Sequence, residues 1–230
     1  MLATDCCWWG WREMVARGWG ASLAALLGLL AGGCSYEHAI GVDHYTVFKV
    51  DPPRNRTVTV CHAYGCREKT KFTFTQSDIA EIKKLMEKTK KADTPHEERR
   101  AIAYAIGWME RRTGEVIGTK HDRPGMDFSG SGDPTQQDCV DEATNTTSYL
   151  TVLQNEGLLK HHTVGQPFAK ENYLRGVAGW THWTATIYEK ETGVRWAVDS
   201  WIYENGENPA IVKADEWYVA SINELPKATH

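Results

Sequence analysis

The chain has 230 residues, 26 Lys and Arg against 30 Asp and Glu for a formal charge of -4, and 41% hydrophobic residues. That balance supplies no basic stripe, so a nucleic-acid partner is not expected. Beyond the N-terminal segment, roughly 200 residues remain, one domain's worth and enough to bury a core, with no internal repeat and no second apolar span.

In chain order, Arg12 and Arg17 precede the apolar run from Ala21 to Ala31, followed by Gly32-Gly33-Cys34-Ser35. A charged start, a short apolar stretch and a small-residue exit read as a secretory signal over residues 1–33. The run is shorter than the roughly 18 to 20 residues a spanning helix needs. The small residues ending in Cys34 resemble the bacterial lipobox, whose cysteine is acylated. Here Ala31 stands three before Cys34, and the usual Leu falls one step earlier, at Leu30. The resemblance implies lipidation at Cys34 and a place in the cell envelope, periplasmic or anchored at the outer membrane, with membrane contact only through the lipid or signal. A plain cleaved signal and an uncleaved anchor are the alternatives. Met14 would give a tidier signal start than Met1, leaving Cys6-Cys7-Trp8-Trp9 ahead of it.

Residues 35–230 are expected to form one mature domain. Its parts are strands and two helices over 35–112, a loop over 113–135, a core over 136–205 and a C-terminal segment over 206–230. Tyr45 to Val50 alternates and reads as extended, as do Thr57 to Val60 and Lys71 to Thr75. Ser77 is the expected N-cap of a helix to about Lys90, with Ile79, Ile82, Leu85 and Met86 at helical spacing. Thr94-Pro95-His96-Glu97 is a capping box that starts a second helix, expected to stop at Gly114 after about Arg112. The polar, Gly-rich loop that follows is long enough to be functional, and a plain linker is the alternative.

Cys61 and Cys66 lie close together and are expected to pair as a disulfide in an oxidising compartment. So short a loop restricts the unfolded chain little, worth about 2 kcal/mol. A metal half-site with His62 lacks a second ligand pair. His161-His162 are adjacent and point opposite ways on an extended chain. No metal and no cofactor is expected. Cys139 is then the thiol left over, either buried and inert or kept free for reactivity.

Thr135 is the expected N-cap of a helix holding Cys139 in its first turn and running to about Glu156, with a stripe of Val140, Ala143, Thr147, Leu150 and Leu153. Unpaired N–H groups and the helix dipole there favour thiolate. Asp141-Glu142 complement the same dipole. Thr181–Glu189 and Val194–Tyr203 flank Lys190-Glu191-Thr192-Gly193 as a β-hairpin. Trp183, Ala185 and Ile187 share a face with Val194, Trp196 and Val198. His182, Thr184, Thr186 and Tyr188 share the other with Arg195, Ala197 and Asp199. If like faces pair, His182 and Asp199 come within side-chain reach. A one-residue slip would separate them.

Cys139, His182 and Asp199, in that order, supply a nucleophile, a base and the group that orients the base. The Cys139 N–H is the natural first oxyanion donor, with a side-chain amide of Gln136 or Gln137 as the second. Trp180, Trp183, Trp196, Trp201 and Trp217 gather in the β section, as core or as the lining of a substrate groove.

Over residues 133 to 205 this arrangement resembles the transglutaminase-like branch of papain-fold cysteine enzymes. In that branch a Cys opens a helix, a His followed by an aromatic lies on a strand, and an Asp lies on the next antiparallel strand. Gln137-Asp138-Cys139-Val140 stands where that family often has Gly-x-Cys-Trp. The resemblance implies an α+β fold with a nucleophile helix on an antiparallel sheet. It also implies acyl transfer through a thioester, with water or an amine as acceptor, on a peptide, protein or peptidoglycan-peptide substrate. The Asp-Cys helix start is also similar to NlpC/P60 peptidoglycan peptidases, whose third residue is usually His. A non-catalytic envelope-binding module is the remaining alternative.

Overall fold

The computed structural model describes residues 43–125, 127–170, 181–221 and 225. The expectations for the signal, the alternative start, Cys34 and Trp180 lie outside the described residues. The elements are α1 (His44–Val47), β1 (Thr57–His62), β2 (Glu68–Thr73), α2 (Gln76–Thr89), α3 (Pro95–Ile117), a 3-10 turn (Phe128–Gly130), α4 (Cys139–Asn155), β3 (His162–Lys170), β4 (His182–Glu189), β5 (Arg195–Asp199), β6 (Ala210–Lys213) and α5 (Ala214–Val219). The fold is mixed α and β, with antiparallel sheets. β1 and β2 form a two-stranded ribbon, and β3-β4-β5-β6 form a four-stranded sheet in chain order.

α4 is the central element, packed against β1, β3, β4 and α3. Tyr149, Leu150, Val152 and Leu153 meet Ile102, Ile106 and Met109 of α3, Val58 and Val60 of β1, and Ala185 and Ile187 of β4. Each such fully buried aliphatic side chain contributes about 1.5–3 kcal/mol. The expected one-sided stripe is too narrow a description, because every residue from Asp141 to Leu150 is buried. A helix covered on all sides must satisfy its polar side chains internally. Thr144, Thr147 and Ser148 donate to carbonyls four residues back, and Asn145 exchanges two hydrogen bonds with the backbone of Cys61.

Several boundaries differ from the sequence reading. Residues 44–47 are helical, not extended, because docking on α4 overrides a short alternation. His44 Nε2 lies 2.7 Å from Thr144 Oγ1, and the Tyr45 hydroxyl 3.1 Å from Ser148 Oγ. Thr75, not Ser77, caps α2 through a reciprocal box with Asp78. Asp138, not Thr135, caps α4 and forms the same box with Asp141. The Thr94 box is half-formed: Thr94 accepts the Glu97 N–H, but the Glu97 carboxylate accepts from Lys91.

α3 continues past Gly114 to a left-handed Gly118 (φ 97°). Gly114 is a packing glycine: a Cβ there would stand 2.7 Å from Asn205 Oδ1 and 3.1 Å from the backbone of Lys120. Helix propensity alone would make Gly114→Ala stabilising by about 1 kcal/mol. The close approach reverses the sign, so urea unfolding of Gly114→Ala is expected to show a loss of about 1–3 kcal/mol. A gain in the urea midpoint would show that the neighbours give way.

Candidate active site

The site begins at the cap of α4. Asp138 Oδ1 accepts the N–H groups of Val140 and Asp141, and its Oδ2 accepts that of Gly65. Asp141 in turn accepts the N–H groups of Asp138, Tyr64 and Cys66. Tyr64, Gly65 and Cys66 belong to a short strap closed by the Cys61–Cys66 disulfide. Within it Ala63, Tyr64, Gly65 and Cys66 all have positive φ, between 54° and 69°. Left-handed backbone is costly for non-glycine residues, and here it turns successive N–H groups toward one pair of carboxylates. Cys139 is thereby held at the first helical position, where its own N–H has no intrahelical acceptor.

The thiol is half-buried and donates to Thr181 O at 3.8 Å. The Trp183 N–H also faces the sulfur, so Cys139 is seated on the backbone on either side of His182. The β4–β5 register pairs Ala185 with Val198 and Ile187 with Trp196, which leaves His182 diagonal to Asp199 on the opposite face. His182 Nε2 lies 2.7 Å from Asp199 Oδ2. The same carboxylate oxygen accepts the Trp217 indole N–H at 2.7 Å. With Nε2 donating, the tautomer leaves a lone pair on Nδ1, which is buried and has no hydrogen-bond partner among the described residues. The ring lies against Trp201 and Trp217, with centroids 4.5 and 5.2 Å away. Lys170, the cross-strand partner of His182, donates to Trp217 O and Ala220 O and lies over the Trp217 ring. It anchors α5 and hence the indole that holds Asp199.

Trp217 and Lys170 escaped the sequence reading as site residues. Trp217 stood out only as one of a tryptophan group, and nothing local ties either residue to Asp199.

A cleft of roughly 220 Å³ opens at Cys139, lined also by Tyr64, Asp127, Phe128, Asp138 and Trp201. Neither glutamine lines it. Gln136 Nε2 donates to His121 O and Thr135 O, and Gln137 Nε2 donates to Cys61 O. Their amides hold the loop and the strap, so neither is placed as an oxyanion donor. Asp141 and Glu142 do not line the cleft either; Glu142 accepts from Ser200. His62 is fixed between Pro134 O and Thr70 Oγ1. His161 pairs with Asp93, while buried His162 pairs with Glu98 of α3.

The expected low thiol pKa is also corrected. Burial, then the charges of Asp138, Asp199 and Asp141, push the Cys139 thiol up to about 12, against the pull of the Trp183 N–H. The cap that positions the residue also opposes its ionisation. Iodoacetamide should therefore alkylate Cys139 slowly at neutral pH, faster as the alkaline range is entered, when followed by peptide mass mapping. A rate midpoint at or below the ordinary thiol value of about 8.5 would refute this.

Behind the site, Glu110 of α3 is buried; its Oε1 has no hydrogen-bond partner among the described residues, while Oε2 accepts from Gly206 N–H. Burial pushes its carboxyl up to about 8; Asp122 also raises it, while Ser200, Gly206 and Arg111 oppose the shift. A raised carboxyl pKa makes the unfolded chain ionise first. Stability is then lost as pH climbs from the unfolded value of about 4.3 toward about 8. Glu110→Gln should flatten the pH dependence of the urea midpoint across that window. An unchanged slope would show that Glu110 is not its source.

Comparison with models of protein families, with curated proteins and with solved structures finds no match to this chain.

Proposed function

We propose that the protein catalyses thiol-dependent acyl transfer, through a thioester on Cys139, with His182 as base and Asp199 as its orienting carboxylate. The observation that carries this reading is the 2.7 Å His182–Asp199 bond, which leaves the unpartnered Nδ1 on a residue whose flanking backbone holds the Cys139 sulfur. A carboxylate on one ring nitrogen and a lone pair on the other suit an imidazole that receives a proton and then returns it.

In this mechanism Sγ attacks a substrate carbonyl while Nδ1 takes the thiol proton. Because the resting thiol is protonated, deprotonation accompanies attack and does not precede it. The Cys139 N–H, at the positive end of α4, stabilises the oxyanion. Collapse expels the amine, which takes the proton from the imidazolium, and leaves the thioester. Water or a second amine then attacks the thioester, with His182 again as base. Asp199, pinned by the Trp217 N–H, keeps the ring in one tautomer.

The packing of the α4 start on an antiparallel sheet supports a transglutaminase-like, papain-fold core. Asp at position 199, where NlpC/P60 peptidases usually have His, favours that core over theirs. The Cys61–Cys66 disulfide fits an exported, envelope-located protein acting on peptide or protein amides. A second reading, a binding module without turnover, is favoured by one observation: the thiol bonds the Thr181 carbonyl and not the ring.

The two readings part on a p-nitrophenyl ester assay. Wild type should release a burst of about one nitrophenolate per chain, which Cys139→Ala abolishes. His182→Ala and Asp199→Asn should slow the acylation phase by about 10²–10⁴-fold. Equal release by wild type and Cys139→Ala would end the enzymatic reading.

A further inference from the structure

The cleft at Cys139 has three aromatic walls, Tyr64, Phe128 and Trp201, and two carboxylate residues, Asp127 and Asp138. Among the described residues, no Lys, Arg or His lines it. Asp127 is paired with Arg123 outside the cleft. Asp138 accepts from backbone N–H groups, those of Gly65, Val140 and Asp141, and has no cationic side-chain partner among the described residues. Phe128 is 64% exposed. Tyr64 is braced by its hydroxyl to Asp127 O at 2.5 Å, which fixes one wall. Aromatic faces gathered beside a carboxylate attract an alkylammonium group through the ring quadrupole and through charge. A carboxylate entering the same space would meet neither.

We infer that the cleft binds the side-chain ammonium of a lysine adjoining the acyl group that Cys139 attacks. This inference rests on the acyl-transfer reading of Cys139 and names the substrate class for that site. The recognised lysine is a specificity element that stays unmodified; no bond to its nitrogen forms or breaks. A bound ammonium would also counter the negative charge of Asp138 beside the sulfur, so that the fitting substrate itself eases loss of the thiol proton.

The test uses the full chain carrying Cys139→Ala, which binds without reacting, and calorimetric titration with three blocked tripeptides, Ala-X-Ala, where X is lysine, norleucine or glutamate. Lysine and norleucine differ in charge at similar length. The lysine peptide should bind about 3- to 30-fold more tightly than the norleucine peptide, the span of a single cation–π contact, and the glutamate peptide should bind weakest. Adding Phe128→Ala should move the lysine-to-norleucine ratio toward one while leaving the thermal melt unchanged. Equal affinity for lysine and norleucine, a preference for glutamate, or no binding by any of the three overturns the inference. Because the Cys139→Ala variant performs no chemistry, its binding result is independent of the nitrophenolate burst, and the failure of either stands apart from the failure of the other.

Discussion

The structure turns on the carboxylate pair at the start of α4. Asp138 and Asp141 gather N–H groups from their own helix and from the disulfide strap. A helix begins with orphan donors and a partial positive charge, and two carboxylates answer both needs. The strap supplies further donors only because four residues in a row adopt left-handed backbone. The disulfide confines that loop at both ends. Remove the carboxylates and the strap has nothing to fold onto. Remove the strap and Asp141, a fully buried carboxylate, loses two of its three donors.

The same arrangement creates an electrostatic tension. The carboxylates that set Cys139 at the helix start lie close enough to raise its pKa. The helix dipole taken alone favours thiolate; burial and three nearby acids outweigh it. Position and reactivity thus pull against each other within one turn of helix. Under the acyl-transfer reading the thiol is quiet at rest and ionises during attack, when His182 and the substrate contribute their own charges.

The second arm of the site is built by a different device. Strand register brings His182 and Asp199 to one face, and α5 closes over them with Trp217. One indole N–H and one imidazole N–H converge on a single carboxylate oxygen, and the aromatic rings that exclude water from that bond also line the imidazole. Low local dielectric strengthens a charged hydrogen bond and penalises an unpaired one. The bond is therefore robust only while α5 stays docked, and the hold of Lys170 on the end of α5 serves that purpose.

Features that depend on short-range pattern were legible in the order of residues alone. The apolar/polar alternation of 182–189 and 195–199 specified which side chains share a face, because a strand has a period of two. The spacing of Cys61 and Cys66, the apolar periodicity of the helices and the position of Cys139 near a helix start were legible for the same reason. Where a neighbour in space competed with a local signal, the three-dimensional packing prevailed. Gly114 reads as a stop, yet the backbone of Lys120 and the side chain of Asn205 need its missing Cβ. Residues 44–47 alternate like a strand but coil against α4. Gln136 and Gln137 have the right chemistry for an oxyanion, but their amides are drawn to carbonyls of the loop and strap. The thiol pKa, the support of Asp199 by Trp217 and the makeup of the cleft each join residues distant in the chain. They follow from burial and through-space charge, which no local window of sequence contains.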